Sequence, residues 1–140
     1  MTDSVPPRRV RHYSGGPWEL SVGYCRGTRI GDLVGISGST AVKNGEVVGL
    51  GDAAVQARQT LLTIDEALQA LGATMQDVYR YRVFLTRPED GEAVTGVLAE
   101  FFGTVHPCAT VVVISALLNP DLLLEIEVDA IAESASPVVP

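Results

Sequence analysis

A chain of 140 residues, 46% of them hydrophobic, is long enough to bury one sizeable core and too short for two comfortable domains, and its composition argues against global disorder. Its formal net charge of -7 disfavours nonspecific attraction to nucleic acid and to anionic membrane surfaces. No apolar run approaches the length that crosses a bilayer, and the start, Met1 to Arg9, has no apolar stretch following its basic residues, so it does not read as a secretory signal and a cytoplasmic location is the default.

Residues 1–17 contain Pro6-Pro7 and Ser14-Gly-Gly-Pro17, which discourage regular structure and predict an extended N-terminal arm. Arg8, Arg9, Arg11 and His12 form a short basic cluster without a glycine-rich or aromatic nucleic-acid motif, so it reads as a solvated arm or one docked on an acidic surface. Trp18 follows as a packing anchor for that arm. Glu19 to Arg29 is compatible with a strand interrupted by Gly23 and Gly27, and Gly31-Asp32 turns it into a second strand over Leu33 to Ser37. At the exit, Ser37-Gly38-Ser39-Thr40 offers hydroxyls and open backbone, either as a site for a carboxylate or carbonyl or as an ordinary polar turn. Asn44-Gly45 predicts a tight hairpin before a short strand at Val47-Val48.

Ala54, Ala57, Leu61, Ile64, Leu68 and Leu71 recur every three or four residues and predict a helix from about Ala53 to Leu71, with Asp52 as its N-cap and Gly72 as its stop. Val78 to Thr86 has strand composition, with Val78, Arg80, Arg82 and Phe84 on one face and Tyr79, Tyr81, Val83 and Leu85 on the other. A second helical region begins at Pro88-Glu89-Asp90, ends near Phe101-Phe102-Gly103, and is weakened by Gly91 and Gly96. Cys108 to Ser115 is a strand apolar on both faces.

The last strand, Leu122 to Ala132, alternates an apolar face with one carrying Glu125, Glu127 and Asp129. A closely spaced acidic row repels itself unless it meets water, cations or a ligand rich in hydrogen-bond donors. Arg80 and Arg82 are its natural counterparts, which leaves an ion network and a small-molecule site both open. Residues 133–140 read as a flexible C-terminal tail.

The order hairpin, helix, strand, helix, strand, strand is α+β, a mixed sheet with two helices on one face. The apolar, uncovered side of such a sheet is expected to pack against other subunits, which makes subunit interfaces the leading place for a pocket. Cys25 and Cys108 make neither a disulfide framework nor, alone, a metal site, and read as buried free thiols. His12 and His106 lack metal-binding spacing, no phosphate-binding loop is present, and Ser37-Gly-Ser39 is not a nucleophile elbow, so no cofactor or metal is expected.

The markers Gly23-Tyr24, Gly31-Asp32, Ile36-Ser37-Gly38, Gly51-Asp-Ala-Ala-Val-Gln-Ala-Arg-Gln59, Val83-Phe84, Phe101-Phe102, Pro107 and Glu125-Ile-Glu-Val-Asp-Ala-Ile-Ala132 together resemble the Rid (YjgF) family of imine and enamine deaminases, some members of which are called L-PSP endoribonucleases. The resemblance implies a chorismate-mutase-like domain over residues 18–132, assembled as a homotrimer with a central barrel, helices outside and clefts between subunits. It also implies site residues: Glu127 matches the catalytic glutamate that positions water, and Tyr24, Ser37, Gly38 and Phe84 match the cleft wall. The segment that carries a carboxylate-gripping arginine in deaminating relatives is Pro107-Cys-Ala-Thr110 here, with Ala109 in the arginine's place and Thr110 beside it. Arg26 and Arg82 are the candidate replacement cations. The implied function is hydrolysis of a small organic imine, enamine or related carbonyl compound with altered selectivity; the alternative is a noncatalytic trimer that binds a metabolite.

Overall fold

The period-two alternation of the last strand sets the architecture. In the computed structural model, which describes residues 8–132, that strand is β8, Leu124–Ile131; Leu124, Ile126, Val128 and Ala130 are buried, while Glu125, Glu127 and Asp129 stay half-exposed on the other face. The remaining elements are β1 (Arg9–His12), β2 (Gly27–Ile30), β3 (Leu33–Ser39), β4 (Val42–Lys43), β5 (Glu46–Val47), α1 (Ala53–Ala70), β6 (Val78–Leu85), α2 (Gly91–Phe102) and β7 (Cys108–Val113). The sheet order is β1-β2-β3-β8-β6-β7, antiparallel throughout except for the parallel β6–β7 pair, so β8 lies between β3 and β6. A parallel pair needs a crossover, and α2 supplies it.

Both helices cover the apolar face of this sheet. Asp52 caps α1 by accepting a hydrogen bond from the Val55 N–H at 3.1 Å, and Gly72 stops it in a left-handed conformation, φ 76°. Leu61, Ile64 and Leu68 are fully buried as α1 packs on β3, β8 and α2. Each such side chain contributes roughly 1.5–3 kcal/mol of burial before ordering entropy opposes it. The glycine-weakened α2 is held by packing: Val94, Val97, Leu98 and Phe102 are buried, and the Phe102 ring stacks on Tyr81 at 5.0 Å. Asn44 and Gly45 both take positive φ in the tight β4–β5 hairpin.

Several expectations need correction. Glu19 to Arg29 is not one strand; Glu19–Gly23 forms a single π-helical turn and the strand begins only at Gly27. The cause is Glu19, whose 1% exposed carboxylate accepts the Ser14 N–H at 2.7 Å, the Ser14 hydroxyl at 3.0 Å and the Gly16 N–H at 3.2 Å, folding the chain back on itself. Trp18 is displayed rather than buried, at 66% exposure. Part of the expected arm is structural, because Arg9–His12 pairs with Gly27–Ile30 as the sheet's edge strand. Residues 1–7 and the tail at 133–140 lie outside the described residues.

A register shift between Val78 and Arg80 on the β6–β8 ladder turns Val78 into the core and leaves Tyr79 exposed, the reverse of strict alternation. Cys25 is half-buried and Cys108 exposed, so neither is the buried thiol expected. Cys108 is exposed because β7 is an edge strand; Val111, Val112 and Val113 are exposed with it. Among the described residues no helix is long and apolar enough to cross a membrane.

Candidate functional site

The site grows from a bulge. β3 pairs with β8 in register up to Ile36–Val128, then slips so that Ser39 meets Ile126, leaving Ser37 and Gly38 as two residues against one. The distortion is pinned by hydrogen bonds: the Ser37 hydroxyl donates to the Cys25 carbonyl at 2.7 Å and the Ser39 hydroxyl to the Ser37 carbonyl at 2.9 Å. Arg26, 9% exposed, completes the lock, with Nη1 donating to the Gly38 carbonyl at 2.7 Å and to Ser39 Oγ at 3.2 Å. Gly38 leaves room there for the Glu125 carboxylate, which a Cβ would run into and displace across the ladder.

Above the bulge lies an open cleft of about 430 Å³. Tyr24, Arg26, Gly38, Ser39 and Glu125 are among its polar groups, and Trp18, Leu117, Leu118 and Leu122 form much of its apolar wall. The Arg26 guanidinium lies 5.7 Å from the centre of the Tyr24 ring, in cation–π range. The Leu117–Leu122 wall is anchored from behind by Gln56, fully buried on α1: its amide nitrogen donates to the carbonyls of Gly49 (3.1 Å) and Asp121 (3.0 Å), and its oxygen accepts the Leu123 N–H at 2.9 Å.

The acidic row divides into two environments. Arg82 Nη1 bridges Glu127 at 3.3 Å and Asp129 at 3.2 Å, so those two carboxylates share one guanidinium. Glu125 makes no hydrogen bond or ion pair among the described residues and faces the cleft. Burial lifts its carboxyl above the usual range, the nearby Glu127 adds to the rise, and Arg26 opposes it.

Of the residues singled out in the sequence, Tyr24, Gly38 and Arg26 line the cleft directly, while Ser37 supports its floor. Phe84 is the β6 partner of Glu125, and Thr110 on β7 is in register with Arg82, which is in register with Glu127, so all share one sheet face. Ala109 is in register with Tyr81, whose ring packs on α2, so within one chain Ala109 lies on the helix side rather than beside Glu127. Arg26 reaches the cleft, whereas Arg82 is engaged by the acidic strand.

Three contributors escaped sequence reasoning. Glu125 carried a weak signal as the same-face neighbour of Glu127, and Gln56 a stronger one, since it stands on the apolar stripe of α1 between Ala53 and Thr60. Glu19 had none, because its partners are the Ser14 hydroxyl and backbone N–H groups that only the fold brings to it.

Fold and site together define a class: a mixed α+β sheet with two helices on one face and a cleft built on a bulged strand. The model of the family described as Endoribonuclease L-PSP matches residues 19–132, and the chain belongs to that family, known also as YjgF or Rid. The chain is 36% identical over 121 residues to the 3-aminoacrylate deaminase RutC of Acinetobacter baylyi, covering 86% of this chain and 94% of RutC. Among solved structures, Rv2704 of Mycobacterium tuberculosis, of the YjgF/YER057c/UK114 family, is 39% identical with a TM-score of 0.81, covering 89% of this chain and 99% of Rv2704. The Rid family protein YyfA of Yersinia pestis is 26% identical with a TM-score of 0.77, covering 89% of this chain and 99% of YyfA.

Proposed function

We propose that this protein hydrolyses the C=N bond of a small organic imine, or of an enamine through its imine tautomer, releasing ammonia and a carbonyl compound, in a cleft completed by neighbouring subunits of a homotrimer. The observation that carries the reading is the convergence of Tyr24, Arg26, Gly38 and Glu125 on one cleft over the strand that also bears Glu127. RutC's name as a deaminase of an enamine gives this reading its reaction class. Glu127, held in place by Arg82, positions the water that attacks the imine carbon. The exposed valines of β7 support assembly, since an uncovered apolar edge strand favours burial against another copy.

Selectivity follows from the cations. Ala109 cannot provide a bidentate carboxylate clamp, and the Nε and Nη1 groups of Arg26 are spent on Ser14, Gly38 and Ser39. The cleft therefore favours imines without a carboxylate, with the apolar wall at Trp18 and Leu118 taking the substituent. A second reading, a noncatalytic metabolite-binding trimer, is favoured by the Arg82 bridge, which engages Glu127 on one side.

The test is ammonia release from a panel of neutral and carboxylate-bearing imines. Faster turnover of the neutral set supports the reading, and Ala109→Arg should then recruit the carboxylate-bearing set. Saturable binding without turnover across the panel would favour the binding protein instead.

A further inference from the structure

We propose that Glu125 is a catalytic residue of the cleft, donating its carboxyl proton to the substrate nitrogen while Glu127 serves the attacking water. This assignment rests on the hydrolase reading above and adds to it the general acid that C=N hydrolysis requires.

The other half-buried or buried carboxylates near the site have occupations. Glu19 clamps Ser14 and Gly16, and Glu127 and Asp129 share Arg82. Glu125 has no such partner among the described residues, yet it is half-buried at the floor of the cleft and seated against Gly38, where any side chain would displace it. A carboxyl that is desolvated, unpartnered and open to a cleft is suited to exchange a proton with a ligand rather than to hold the fold.

The groups facing it sharpen the role. Glu127 stands two residues along the same strand face, roughly 7 Å away. Arg26 and Tyr24 approach from the segment before β2, and Phe84 is its cross-strand neighbour on β6. Phe84 on one flank and the Gly38 backbone on the other withhold stabilising donors, and Glu127 discourages a second negative charge. Arg26 opposes this without reaching ion-pair distance, and the balance still shifts Glu125 toward its protonated form. Two carboxyls in contrasting environments are the arrangement that separates acid from base duty on one face.

The proton inventory closes. Water gives one proton to Glu127 as its oxygen bonds to the imine carbon; the C=N electron pair moves to nitrogen, which takes the Glu125 proton, leaving a carbinolamine. Glu127 then passes its proton to that nitrogen, and the C–N bond breaks with its pair leaving on ammonia. The carbinolamine hydroxyl returns its proton to Glu125 as C=O forms, and both carboxyls are restored.

The experiment compares wild type, Glu125→Gln and Glu125→Asp on a neutral imine generated in place by an amine oxidase, with semicarbazide trapping the imine that escapes hydrolysis. Glu125→Gln should lower kcat by about 10²–10⁴-fold with little change in KM, and should abolish the alkaline limb of the pH–rate profile. Glu125→Asp should keep that limb at a shifted position, which preserves the test if the glutamine variant does not fold. Wild-type turnover with Glu125→Gln within about threefold of it, or Glu125→Asp without an alkaline limb, overturns the donor assignment alone. Absence of wild-type turnover overturns the hydrolase reading and the assignment with it.

Discussion

Replacing Gln56 with leucine removes an amide that joins α1 to both loops behind the cleft. The volume is nearly conserved, so the effect isolates three lost hydrogen bonds: to the Gly49 and Asp121 carbonyls and from the Leu123 N–H. A buried backbone group left unpaired costs about 1–3 kcal/mol, which for three groups gives about 3–9 kcal/mol if each stays dry. Asp121 is exposed and Gly49 half-buried, so their carbonyls can regain water, whereas Leu123 is buried, and about 3–4 kcal/mol is expected. In urea, with a slope of roughly 1–3 kcal/mol per molar, the unfolding midpoint should fall by about 1–4 M at fixed protein concentration. The same variant should raise KM, because the Leu117–Leu122 wall loses its anchor. A loss below about 1 kcal/mol, with KM unchanged, would refute the claim that Gln56 positions that wall.

Other substitutions probe separate links. Gly38→Ala meets only the end of a flexible carboxylate, so stability should fall by less than about 1 kcal/mol while turnover drops at least roughly tenfold; equal turnover would detach Gly38 and Glu125 from the chemistry. Because folding raises the Glu125 pKa, the folded chain binds more protons than the unfolded one above about pH 4, and this carboxyl's stabilising contribution, full below that pH, is lost as pH rises through its folded value. Glu125→Gln should therefore be more stable than wild type at neutral pH, with the advantage shrinking toward pH 4 in denaturant titrations; an advantage independent of pH would contradict this. In the proposed trimer, Val112→Lys on the exposed edge of β7 should lower the solution mass toward that of one chain, and an unchanged mass would remove this strand from the assembly interface.

What could be read from the sequence followed periodicity. The three-to-four spacing of Leu61, Ile64 and Leu68 and the strict alternation of Leu124 to Ala130 are local patterns that burial enforces, so α1 and β8 appear where they predict. Asp52 and Gly72 acted through local backbone chemistry and were equally legible. The segment from Ser14 to Arg26 was misread because its conformation depends on one buried carboxylate capturing backbone groups five and three residues upstream. The face of Val78 depended on a bulge, and a bulge is a property of two strands. Candidate site residues divided the same way: Tyr24 and Gly38 were singled out by their motif and line the cleft, while Glu125 differs from Glu127 only in which neighbours the tertiary fold gives it, Gly38 and Phe84 for one and Arg82 for the other.

The central claim is that this cleft hydrolyses C=N bonds with a water positioned by Glu127. Its most direct test is ammonia release from a neutral imine by wild type and by Glu127→Gln, at matched concentration and with matching unfolding curves. Wild type should accelerate release in proportion to enzyme concentration, and the variant should lose about 10²–10⁴-fold in kcat. Hydrolysis by Glu127→Gln at the wild-type rate would contradict the account.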